Sequence, residues 1–132
     1  MKRFWHVHLI LDTVTFIWAT ISPDRISRAA MTALRRENAV RELSVISVCE
    51  IAIKQSRGKL TLTQDDVTKG AADLRLRILP YTADHAFRLF DLPLHHADPF
   101  DRQIIAQALV ERVRVVTPDE NFRLYKGLDV IW

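Results

Sequence analysis

Asp98-Pro99-Phe100-Asp101-Arg102-Gln103-Ile104-Ile105-Ala106-Gln107-Ala108-Leu109, followed after a short gap by Val113-Arg114-Val115-Val116-Thr117, is the stretch that decides the fold. Asp98 has the chemistry of a helix N-cap, Pro99 suits the first helical position, and Asp101 falls at the third, where the helix dipole favours an acid. Ile104, Ile105, Ala108 and Leu109 recur at helical spacing and form one buried face. The β-branched run after them is short and apolar, as a buried strand is. A helix that feeds such a strand is part of a βαβ unit.

The same alternation runs outward from this stretch. Val7 to Leu11 reads as a first buried strand. Ser22-Pro23-Asp24 reads as a helix start, with Ile26, Ala29, Ala30, Ala33 and Leu34 on its apolar face. Leu43 to Ile46 is a second strand. Ser47-Val48-Cys49-Glu50 has capping-box spacing and opens a helix to about Arg57, ended by Gly58. Thr63 to Asp66 caps a further helix to about Leu76, with Gly70 as a weak point inside it. Arg77 to Pro80 reads as a short strand, Thr82 caps a helix to about Asp91, Pro118 to Tyr125 is a turn with a short helix, and Asp129 to Trp132 is a last strand. Strand and helix alternate throughout, which predicts an α/β fold with a mainly parallel sheet.

With 132 residues the chain has room for one domain, spanning 1–132. Hydrophobic residues at 48% and charged residues at 27% give an ordinary globular balance. Cys49 is the single cysteine, so no internal disulfide forms. The 19 basic and 16 acidic residues leave +3, which permits a polyanionic partner without requiring one. The start carries Lys2 and Arg3, but His6, His8 and Asp12 interrupt the apolar run after them. The expectation is therefore of neither a signal peptide nor a membrane span, and of a protein in the cytoplasm.

Four acids fall where such a sheet gathers side chains. Asp12 ends the first strand, Asp119 follows the Val113–Thr117 strand, and Glu50 and Asp101 sit in the first turns of two helices. Helices that follow parallel strands begin at the carboxyl edge, so all four converge there. Taken singly, Glu50 and Asp101 also suit ordinary helix starts, Asp12 a loop, Asp119 a turn and Asp98 a plain N-cap. Taken together they conflict. At an effective dielectric of about 20, two charges about 5 Å apart repel by about 3 kcal/mol, and four carboxylates make six such pairs. Protonation or a cation must relieve that load. Oxygen donors without Cys or His point to Mg2+, with Mn2+ as the alternative.

The stretches Leu11–Trp18, Ser47–Leu60, Leu92–Leu109 and Val116–Tyr125 resemble, in order and spacing, the motifs of PIN-domain ribonucleases, and among them the VapC-like toxins of type II toxin–antitoxin pairs. That resemblance implies a three-layer α/β/α sandwich and a Mg2+-dependent endoribonuclease toxin. It assigns metal binding and catalysis to Asp12, Glu50, Asp101 and Asp119, with Ser47, Thr117 and Asp98 supporting them. Its implied partners are RNA, a cognate antitoxin protein, and a second copy in a homodimer. Two positions depart from the usual pattern: Val14 where Asn or His is common, and Cys49 where Trp is common. Val14 motivates the competing reading, a catalytically weakened PIN-like module that binds RNA or a protein without cutting.

Lys54, Arg57 and Arg102 lie beside these acids and are candidate RNA-phosphate contacts, although a solvated helix face accounts for such charges as well. Phe16, Ile17, Trp18, Met31 and Leu34 supply apolar surface that divides between core and, as the resemblance implies, a groove for an antitoxin peptide. His95-His96 and His6-x-His8 lack a third ligand at zinc spacing, so the first pair is read as shaping the loop before Asp98. With glycines only at 58, 70 and 127, no glycine-rich phosphate loop exists.

Overall fold

The computed structural model describes residues 7–132; the basic start and His6 lie outside them. Five strands, β1 (Val7–Leu11), β2 (Ala39–Ser44), β3 (Leu76–Leu79), β4 (Arg114–Val116) and β5 (Val130–Ile131), form one sheet in the order β3-β2-β1-β4-β5. Every described pairing is parallel. Parallel neighbours require crossovers. Helices α1 (Thr13–Ile21), α2 (Arg28–Leu34), α3 (Val45–Ser56), α4 (Gln64–Asp73), α5 (Ala83–Arg88) and α6 (Pro99–Glu111) lie along them. The chain winds outward from β1 through β2 and β3, then returns to set β4 on the other side of β1. Ligands of open α/β sheets bind at such a reversal, beyond the carboxyl ends of the strands.

Side-chain alternation on β1 splits the core into two layers. Ile10 packs with Ile104, Ile105, Ala108, Val115 and Phe122 beneath α6. Leu11 turns the other way, to Phe16, Leu43, Ile51 and Val67, and Leu9 joins Ile26, Ala30 and Ala33. The result is the expected α/β/α sandwich.

Several boundaries differ from the sequence reading. The second strand is earlier, Ala39–Ser44 rather than Leu43 to Ile46. The Ser22-Pro23-Asp24 start yields only a short 3-10 turn, Pro23–Arg25; Ser27 caps α2 instead, its hydroxyl accepting from Ala30 N at 3.1 Å. Helix α1 carries no helical signal in the sequence. Its N-cap is Asp12, the residue that ends β1. Ser47 does not cap α3: Ser44 does, accepting from Ile46 N at 3.0 Å, so Glu50 sits a turn deeper than the capping-box reading placed it.

Other signals hold. Thr63 forms a true capping box with Asp66, and Asp98 caps α6 with Pro99 at its first position. Gly58 takes φ +72 just past α3, a conformation that costs other residues strain. No described helix is long and apolar enough to cross a membrane.

Candidate functional site

Asp12 is 3% exposed at the junction of β1 and α1. Its Oδ1 accepts from Thr15 N at 3.0 Å, which closes the N-cap, and its Oδ2 accepts from Thr117 Oγ1 at 2.6 Å. The same Thr117 hydroxyl accepts from Asp119 N at 3.0 Å. One buried threonine therefore ties together the acids that follow β1 and β4, the two strands flanking the reversal. Asp119 Oδ1 in turn caps the 3-10 turn Glu120–Leu124 by accepting from Asn121 N at 2.9 Å.

The two helix acids come from either side. Asp98 Oδ1 accepts from Phe100 N and Asp101 N at 2.9 and 3.0 Å, which leaves Asp101, at the third helical position, turned toward the other acids. Burial pushes the Asp101 carboxyl up to about 8, and the charges of Asp98, Asp12, Glu50 and Asp119 add to the rise. Asp101 is thus the carboxylate on which all the others press. Asp12 is pushed up to about 6, chiefly by burial, against the pull of the Thr117 and Thr15 hydrogen bonds.

Glu50 reaches the cluster from α3, buried. Its Oε2 accepts from Lys54 Nζ at 2.6 Å, while Oε1 is buried with no hydrogen-bond partner. Because Glu50 lies beyond the first turn, the helix-start explanation of this acid falls away. Ser47 Oγ accepts from Thr13 Oγ1 at 2.9 Å, which clamps the start of α1 to α3 behind the acids.

The basic candidates divide. Lys54 is bound to Glu50, and that hydrogen bond raises its pKa. Arg57 is exposed and has no described ion-pair partner. Arg102 is engaged elsewhere: its guanidinium donates to Pro93 O at 2.8 Å, Leu92 O at 3.2 Å and Tyr125 Oη at 3.1 Å, bracing the loop before α6 rather than facing a substrate. Phe16 is core, which removes it from the groove-forming set; Ile17, Trp18, Met31 and Leu34 are half-buried.

The sequence reading missed His96. His95 shapes the loop as expected, packing edge-on against Tyr125 with centroids 4.8 Å apart. His96 instead turns toward the acids, with Nε2 3.4 Å from Asp101 Oδ2. Ligand atoms of His96, Asp101 and Asp119 all lie within 4.8 Å of one another. Its position five residues before Asp101 was the available signal, but only the folded loop brings the two together.

The PIN domain profile matches residues 9–128, nearly the whole chain and every acid in the cluster. The chain belongs to the PIN-domain family. Among solved structures, this PIN domain is similar to a chain of VapBC2 from Rickettsia felis bound to a DNA fragment from its promoter, with TM-score 0.73, 17% identity, and 94% and 97% of the two chains covered. A chain of DNA-bound VapBC from Salmonella typhimurium gives TM-score 0.65 at 17% identity, covering 94% and 96%. VapBC-5 from Mycobacterium tuberculosis, a member of the VapBC family of toxin–antitoxin systems, gives 0.60 at 18%, covering 94% and 97%. At these identities the likeness is one of fold. A search of curated proteins finds no match.

Proposed function

We propose that this PIN domain is a divalent-metal-dependent endoribonuclease and the toxin of a toxin–antitoxin pair, working in the cytoplasm. The observation that carries the reading is the gathering of acids at the carboxyl edge of the sheet: ligand atoms of Asp101 and Asp119 lie with one of His96 within 4.8 Å of one another, and Thr117 ties buried Asp12 to Asp119. The acids fit a hard divalent ion, Mg2+ or Mn2+: they offer carboxylate oxygens, one of which, Glu50 Oε1, is buried without a partner. Such an ion, when bound, acidifies water and polarises a phosphoryl oxygen.

The residues divide the work. Asp12, Asp101 and Asp119 would hold the metal. Thr117 fixes the angle of Asp12 and the backbone of Asp119 through one hydroxyl, and Asp98 sets the first turn from which Asp101 projects. Glu50 joins the metal set or, through Oε1, orients the attacking water and accepts its proton; Lys54 fixes Oε2 and leaves Oε1 free for that role. Lys54 and Arg57 offset substrate charge at the rim of an otherwise acidic site, where a polyanion would be repelled. An antitoxin segment covers the apolar surface of α1 and α2 around Ile17, Trp18 and Met31. The exposed, stacked Phe87 and Phe90, with centroids 6.3 Å apart, support pairing of two copies.

Induced expression in a bacterial host lacking the antitoxin tests the reading. Growth arrest with loss of intact RNA, both relieved by Asp12→Asn, is the expected result. Unimpaired growth with intact RNA would favour the non-cutting module that Val14 suggests.

A further inference from the structure

We infer that His96 is a metal ligand of this site, so that its ion is held by mixed nitrogen and oxygen donors and is a first-row transition ion such as Mn2+ in preference to Mg2+. The inference deepens the nuclease reading and rests on the carboxylate cluster being a metal site.

Geometry carries it. His96 Nε2 is buried with no hydrogen-bond partner, yet it sits 3.4 Å from Asp101 Oδ2. That contact does not meet hydrogen-bond geometry, but it suits two donors on one ion. Atoms each about 2.1 Å from a shared metal are about 3.0 Å apart across a right angle and about 3.4 Å apart across a tetrahedral one. Asp119 brings a third donor atom within 4.8 Å of both. A second buried atom without a partner is Glu50 Oε1, on an acid whose charge bears on Asp101. A buried polar atom left unpaired is costly in a closed fold, and a cation at His96 Nε2 answers it.

The imidazole is held as a ligand should be. Its Nδ1 lies 2.7 Å from Tyr125 Oη, which is itself 3.1 Å from Arg102 Nη1. With the Nδ1 proton donated to Tyr125 Oη, the lone pair of Nε2 faces Asp101; an oxygen acceptor on the far ring nitrogen is the usual support of a metal-bound histidine. Tyr125 is 2% exposed, and its ring meets the imidazole edge-on at 5.5 Å. This gives Arg102 and Tyr125 a joint purpose: they hold the ring of His96 in place. Imidazole suits transition ions, whereas Mg2+ prefers oxygen and sheds its water reluctantly.

The test is titration calorimetry with Mn2+ and Mg2+, together with pulsed electron paramagnetic resonance of the Mn2+-loaded protein, on wild type, His96→Asn and Tyr125→Phe. Wild type is expected to show 14N coupling to Mn2+. His96→Asn is expected to lose that coupling and to bind Mn2+ at least about 10-fold more weakly, with Mg2+ affinity little changed. Tyr125→Phe removes the support but keeps the ring, so it retains the coupling; melting curves in chelator show that both variants fold. Mn2+ binding to wild type without 14N coupling would overturn the role of His96 and leave the carboxylate site standing. No binding of either ion would overturn both.

Discussion

Thr117 and Asp12, 105 positions apart in sequence, are joined by a 2.6 Å hydrogen bond in which the threonine hydroxyl donates to Oδ2. Thr117 also accepts from the backbone N–H of Asp119, so a single hydroxyl registers the ends of β1 and β4 against each other. Thr117→Val keeps the shape but leaves a buried carboxylate oxygen and a backbone N–H short of a partner. The expected cost is about 1–3 kcal/mol in stability and a metal affinity weakened about 10-fold, both recovered by Thr117→Ser. Melting curves and metal titration of the two variants check this.

Stability without metal should fall as pH rises. Asp101 at about 8 and Asp12 at about 6 lie above the unfolded value of about 3.9. Between those values the folded chain binds more protons than the unfolded chain, so raising pH favours unfolding. In chelator, the melting temperature is expected to be lower at pH 8 than at pH 5, with a shallower slope in Asp101→Asn. Saturating Mn2+ reverses the trend, because it binds the deprotonated cluster. A metal-free melting temperature that rises over this range contradicts the burial of these acids.

Asp98 and Asp101 have separable roles. Asp98 Oδ1 accepts from two backbone N–H groups, and Asn caps about as well as Asp, so Asp98→Asn should shift stability by only a few tenths of a kcal/mol and leave cleavage largely intact. Asp101→Asn removes the most pressed charge of the cluster. It should abolish cleavage while raising the metal-free melting temperature at pH 8. The reverse pattern between the two variants would reassign the metal acid to Asp98.

Gly70, the weak point within α4, is explained by packing. A Cβ there would lie 2.5 Å from Thr20 Cγ2 and 3.3 Å from Phe16 Cζ. Thr20 cannot swing aside cheaply, because its hydroxyl donates to Phe16 O and Ile17 O. Gly70→Ala gains up to about 1 kcal/mol of helix propensity but overpacks the α1–α4 contact, a penalty of about 1–3 kcal/mol. A net loss of stability in denaturant titration is expected, and adding Thr20→Ser, which deletes the Cγ2 methyl that the new Cβ meets, should recover much of it.

What the sequence disclosed depended on whether the signal was local. The start of α6 was legible because Asp98, Pro99 and the Ile104–Ala108 face all agree over one short span. β1 was legible as an apolar run between polar residues. α1 was not: Thr13, Val14, Thr15, Ile17, Thr20 and Ile21 are β-branched and poor helix formers, and the helix depends on the Asp12 cap and the burial of Phe16. Ser47 misled because the Ser-x-x-Glu spacing is a local rule. Ser44, three residues earlier, wins the cap at the end of β2, where its hydroxyl also meets Gln107 of α6. The four acids could be placed at one edge from their order along the chain. The orientation of His96 could not, because it depends on Tyr125 and Arg102, which are distant in sequence.

The most direct test of the account is an RNA cleavage assay with the purified chain and a long mixed-sequence RNA, in Mn2+, in Mg2+ and in chelator, with Asp101→Asn alongside. The account predicts internal cuts by wild type with metal present, none in chelator, and none by Asp101→Asn under any condition. Cleavage that persists in chelator, or that Asp101→Asn performs as fast as wild type, would contradict it.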